Sequence, residues 1–141
     1  MSWKTEFTIH GKPKGKQRPR MAKGGFVFTP KATRDYESVV REVAATLFKE
    51  PLIGEVRLSV YAYFEIPKSW SKKKRKDHIG RHHLQTPDLD NVVKSITDGM
   101  NRIAFVDDKQ VAELVCAKYW VDGPGNVRVI VEDLCEAAKG D

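Results

Sequence analysis

Two short stretches of this chain concentrate residue types that do chemistry. One is Pro87-Asp88-Leu89-Asp90-Asn91-Val92-Val93-Lys94, and the other is Val106-Asp107-Asp108-Lys109-Gln110-Val111. Between them they hold four carboxylates and Lys94, inside a chain of 141 residues whose 25 Lys and Arg outnumber its 19 Asp and Glu for a formal net charge of +6. A basic surface suits a polyanion. An acidic pocket within it suits a hard divalent cation. Mg²⁺ binds through one or two carboxylates and fills its remaining positions with water and phosphate oxygens. The combination reads as an enzyme that holds nucleic acid and hydrolyses it with metal.

The spacing sets conditions on that reading. Residues at i and i+2 of a regular helix point to different sides. Asp88 and Asp90 converge only if Asp88 is a helix N-cap, whose dihedrals are not helical. The helix N-terminus would then favour both negative charges. Lys94 follows Asp90 by four residues, one turn along the same face. A plainer reading uses the same residues: Asp88 only caps, Asp107-Asp108 is only a turn, and Asp90–Lys94 is an i,i+4 pair worth about 0.2–0.5 kcal/mol. Converging carboxylates would count against it. Two like charges 4 Å apart repel by about 4 kcal/mol at an effective dielectric of 20, which calls for a cation or a shared proton.

The elements that must position these groups follow from periodicity. Residues 4–10 alternate as a strand, with Phe7 and Ile9 on one face. Residues 11–20 are a loop by their two Gly and two Pro, with five basic residues and no acid. Such a loop suits phosphate contact. Gly24-Gly25 marks a turn into a short strand at 26–28. Thr29-Pro30 starts a helix running to about Lys49, with Tyr36, Val39, Val40, Val43, Ala44 and Leu47 as its apolar stripe. Residues 54–66 form a strand with Val56, Leu58, Val60, Ala62 and Phe64 on one face. A short basic helix begins near Lys72, and a second main helix runs from Leu89 to Asn101, weakened by Gly99 near its end. A strand over 110–121 whose imperfect alternation suggests a bulge, a turn at 122–126 and a strand over 127–131 complete the order. The charged residues 136–141 are expected to fray. The fold class is α+β: a small mixed, mostly antiparallel sheet packed with two main helices in a single domain over residues 1–141.

Composition excludes other classes. No apolar run approaches the roughly 20 residues of a membrane span, and the N-terminus lacks an apolar signal core. The expectation is a cytoplasmic protein with no membrane partner. Cys116 and Cys135 fit reduced thiols and lack CxxC spacing. His78, His82 and His83 have no fourth zinc ligand at familiar spacing and are expected to face solvent or phosphate.

Taken together, Pro87-Asp88-Leu89-Asp90-Asn91, Lys94, Asp98 and Asp107-Asp108 followed by Gln110-Val111 closely resemble the RusA family of Holliday junction resolvases. Gly11, Lys16-Gln17-Arg18-Pro19-Arg20 and Phe28-Thr29-Pro30-Lys31 resemble that family's basic loop and helix entry. The likeness spans residues 5–131 in order. It implies a homodimeric endodeoxyribonuclease that uses Mg²⁺, with Mn²⁺ as a substitute, to nick opposing strands of four-way or otherwise branched DNA in recombination, repair or phage DNA processing. It places the essential acids, which are also the metal ligands, on Asp88, Asp90 and Asp108, and the essential lysine on Lys94. Asp107 matches an acidic position of less defined role. From charge, the DNA-gripping residues are Lys14, Lys16, Arg18, Arg20, Lys72, Lys73, Lys74 and Arg75. The alternatives are a flap, fork or single-strand endonuclease, and a junction-binding protein without catalysis.

Overall fold

A computed structural model describes residues 3–136. The expected fraying of the extreme C-terminus falls mostly on residues outside that range. Four strands make one sheet: β1 (Lys4–His10), β4 (Val56–Glu65), β5 (Val111–Val121) and β6 (Asn126–Asp133), in the order β1-β6-β4-β5. β1 and β4 flank β6 antiparallel, and β5 runs parallel to β4. The parallel pair exists because the chain leaves β4, crosses through α2 (Lys72–His78) and α3 (Leu89–Met100), and returns. α1 (Lys31–Ala45) precedes β4, and a separate ribbon pairs β2 (Arg20–Met21) with β3 (Val27–Phe28). The fold is α+β with a mixed, mostly antiparallel sheet.

Alternation in β4 places Val56, Leu58, Val60, Ala62 and Phe64 in the core with Val127, Val129 and Val131 of β6 and Phe7 and Ile9 of β1. α1 adds Tyr36, Val40 and Ala44; α3 adds Val92, Ile96 and Met100. Each aliphatic side chain buried this completely contributes about 1.5–3 kcal/mol. The expected irregularity of β5 is real: register with β4 shifts between Val56/Val111 and Arg57/Glu113, so Ala112 is the extra residue. β5 is an edge strand, which leaves Leu114 and Val115 exposed.

Several expectations shift. α1 starts one residue later than read, with Pro30 as N-cap and no side-chain capping bond, and it ends at Ala45 rather than Lys49. There the Thr46 hydroxyl donates to the Val43 carbonyl, and the chain bends to bring Phe48 and Leu52 against the core. The bend leaves Leu47 exposed; Val39 is exposed as well, at the rim of the stripe. Gly99 is a packing residue rather than a weak point. A Cβ there would lie 2.6 Å from Val40 Cβ and 3.1 Å from the Glu37 carbonyl oxygen, so glycine lets α3 cross α1 closely. The histidines do not all face outward either. His83 is buried, its ring stacked on Phe64 at 3.8 Å and tilted against Trp120.

Candidate functional site

Asp88 is the N-cap of α3, with extended dihedrals and no side-chain capping bond. Asp90 lies in the helix's first turn. Both are exposed, and neither carboxylate forms a hydrogen bond or ion pair among the described residues. Two carboxylates without a local structural task thus stand at the positive end of a helix dipole.

Lys94 and Asp98 continue the stripe that starts at Asp90. Lys94 Nζ lies 3.1 Å from Asp98 Oδ1 and 3.5 Å from Asp108 Oδ2. The second contact closes the gap between the two acidic stretches. The hydrogen bond to Asp98 holds the Lys94 ammonium above the ordinary lysine range, although partial burial opposes it.

Asp107 and Asp108 divide their tasks. They open a single 3-10 turn (Asp108–Gln110) leading into β5. Asp107 Oδ1 accepts from the Lys109 N–H at 2.8 Å, and the Gln110 side chain accepts from the Asp107 N–H at 2.9 Å, a reciprocal capping box. The Lys109 N–H pulls the Asp107 carboxyl below the usual carboxylate range. Gln110 Nε2 also donates to the carbonyls of Leu52 and Gly54, fastening the turn to the start of β4. Asp107 is therefore committed to the turn, and Asp108 reaches Lys94.

The basic loop before β2 docks onto the same end of α3. The Lys16 N–H donates to the Asn91 carbonyl at 2.8 Å, and Ser95 Oγ donates to the Lys14 carbonyl at 2.8 Å. Gly15 lies so near Pro87 that a Cβ would sit 2.6 Å from the proline Cβ. The eight basic residues expected on DNA have unequal surroundings. Lys14, Arg18, Arg20, Lys72 and Lys73 are exposed and form no ion pair among the described residues. Lys74 sits 4.0 Å over the Trp70 ring, and Arg75 is 3.8 Å from Asp122. Lys16 is mostly buried between Glu37 of α1 and Asp98 of α3, its Nζ 3.1 Å from Asp98 Oδ2. Burial disfavours its charge, but the bonds to Glu37 and Asp98 outweigh that and raise it above the lysine range.

Lys118 of β5 was not anticipated from sequence. Its Nζ donates to the Gln85 and Pro87 carbonyls at 2.7 and 2.8 Å, anchoring the segment that presents Asp88. A lysine inside a mostly apolar strand was the available signal.

Among the described residues, no three His, Cys, Asp or Glu side chains converge closely enough to hold a metal ion. The donors nonetheless suit Mg²⁺ chemically, since it needs only one or two carboxylates beside water and phosphate oxygens. Asp88 and Asp90 supply such oxygens unpartnered. Among the described residues, no helix is long and apolar enough to cross a membrane.

The family model described as endodeoxyribonuclease RusA matches residues 10–132. The chain is also 31% identical over 137 residues to the uncharacterized protein YqaN of Bacillus subtilis (strain 168), covering 92% of this chain and 96% of that one.

Proposed function

Because the chain belongs to the RusA family of endodeoxyribonucleases, we propose that it is a Mg²⁺-dependent enzyme that resolves four-way DNA junctions by paired nicks. The observation that carries the reading is the approach of Lys94 to Asp108 beside Asp88 and Asp90, whose carboxylates have no partner among the described residues. That approach joins sequence-distant groups into one exposed patch, next to a docked basic loop.

Asp88 and Asp90 would hold the cation, with DNA phosphate and water completing its shell, and Asp108 would join them only by moving from its place beside Lys94. Bound there, Mg²⁺ would supply Lewis-acid stabilisation of the phosphate oxygens and a more acidic water. Lys94 offsets negative charge that grows on the phosphate as the water attacks. Asp98 holds the Lys94 ammonium in place from one side. Lys14, Arg18 and Arg20, with Lys72 and Lys73 of α2, grip the backbones, so binding should weaken steeply with salt, by a log–log slope near −0.9 per neutralised phosphate on duplex. Two copies related by a twofold axis would place two such sites on a twofold-symmetric junction and account for paired nicks.

The test is Asp90→Asn on a synthetic four-way junction. Cleavage should fall by roughly a hundredfold or more, while junction binding without metal is unchanged. Retained cleavage removes Asp90 from the mechanism. A panel of junction, flap, fork and linear duplex decides the substrate, and equal cutting of junction and duplex would end the claim of junction selectivity.

A further inference from the structure

Among the described residues, the most exposed apolar side chains outside the core include a group gathered on the β2–β3 ribbon. Met21 is 73%, Phe26 63%, Val27 64% and Phe28 40% exposed. The ribbon is well formed. Gly24 and Gly25 take the turn at φ +103° and +92°, Ala22 N–H donates to the Phe26 carbonyl at 2.8 Å, and Gly25 N–H donates to the Ala22 carbonyl at 3.0 Å. Both conformations are open to glycine and strained for other residues.

Register gives the ribbon two apolar faces. Arg20 pairs with Phe28 and Met21 with Val27, and side chains alternate along each strand. Phe28 therefore shares a face with Arg20, with the Phe26 ring 6.4 Å from its own, while Met21 and Val27 share the other. A ribbon that lay flat on a protein surface would need one apolar face. Two suit insertion between apolar layers.

Charge selects the layers. No acidic residue occurs from Phe7 to Arg34, and Arg18, Arg20 and Lys23 border the ribbon. A second copy of a chain carrying +6 offers this segment no general attraction. Nucleic acid offers both partners at once: stacked bases for the apolar tip and phosphates for its basic flanks. The loop entering the ribbon is the one docked on Pro87 and Asn91, so the ribbon is tethered through it to the end of α3 that carries Asp88 and Asp90.

We propose that the β2–β3 ribbon is a wedge, with Met21, Phe26 and Val27 entering the base stack where it opens at the branch point. The wedge discriminates branched from linear DNA, because unstacking costs least where stacking is already interrupted. The inference rests on the branched-DNA reading above.

The experiment compares the unaltered chain with Phe26→Ser, Met21→Ser and Arg18→Gln, all at exposed positions, after melting curves confirm folding. Binding is measured in EDTA by anisotropy, on a four-way junction and on linear duplex of the same sequence. A second junction carries 2-aminopurine at the crossover. The unaltered chain should raise 2-aminopurine fluorescence. Phe26→Ser and Met21→Ser should abolish that rise and weaken junction binding by about tenfold, with duplex binding little changed. Arg18→Gln should weaken both substrates alike. Equal losses on the two substrates by Phe26→Ser, no loss at all, or conversion of a dimer to monomers would each overturn the wedge; the last would assign the ribbon to self-association. Junction cleavage by the unaltered chain in Mg²⁺ is scored separately. Its absence defeats the nuclease reading, while the EDTA comparison still decides the wedge.

Discussion

Asp98 accepts a lysine on each side, and the two sides differ in almost everything else. Inward, Lys16 joins it to Glu37, and the three side chains are only 14–22% exposed. Outward, Lys94 joins it to Asp108, with Lys94 52% exposed. The inner set ties the basic loop, α1 and α3 together. The outer set faces solvent beside Asp88 and Asp90, where a phosphate could approach. Identical chemical groups acquire different roles because burial controls what their removal costs. A charge left partly buried must be desolvated without its partner, whereas an exposed pair loses almost nothing.

The largest expected effect breaks the outer side. Lys94→Met should lower junction cleavage by roughly a hundredfold yet move stability by less than about 1 kcal/mol, read from single-turnover rates and denaturant melts of one preparation. Its inner counterpart should invert the result. Lys16→Met leaves Glu37 and Asp98 without their shared cation, and should destabilise by about 2 kcal/mol, short of the 3–5 kcal/mol of a fully buried pair. If instead Lys16→Met stops cleavage in a protein of unchanged stability, the division between the two sides is wrong.

The neighbouring aspartates sharpen the same contrast. Asp107→Ala removes a cap and should cost about 1 kcal/mol, with a partial loss of activity as the turn loosens. Asp108→Asn should keep its stability and lose cleavage by roughly a hundredfold. Matching activity losses with matching melts would show that the two residues do not divide their tasks.

The smallest effect is a dependence on pH. Lys16 is raised in the folded chain above its unfolded value near 10.4. The folded state then holds more protons than the unfolded one over that interval. Its contribution is complete below about pH 10.4 and fades as pH rises through the folded value. Tyr36, pushed upward by burial, weakens the fold in the same alkaline range. The informative quantity is thus the gap in stability between the unaltered chain and Lys16→Met. It should narrow as pH climbs above about 10.4; a constant gap would mean that Lys16 acts by packing alone.

Periodicity and charge made much of this legible beforehand. The alternation of β4 named its buried residues, and the uneven pattern of β5 anticipated the bulge at Ala112. Asp88 could be read as a cap, and Lys94 as one turn from Asp90, because those relations are local. Gly99 was misread because propensity knows only the helix that contains it, while its value lies in the approach of Val40 from α1. His83 was misplaced because nothing in its neighbourhood records that Phe64 and Trp120 close over it.

Residue order by itself determined the basic balance, the strand and helix periods, and the clustering of acids into two stretches, since each depends on neighbours along the chain. Only the tertiary structure decided that Asp108 meets Lys94 while Asp107 turns back to cap, and that Lys16 is held between two helices while Arg18 and Arg20 form no ion pair among the described residues. Those outcomes depend on which distant carboxylate or carbonyl lies within about 3 Å of a charged group, a distance fixed by how α1, α3 and the sheet pack and by no local pattern.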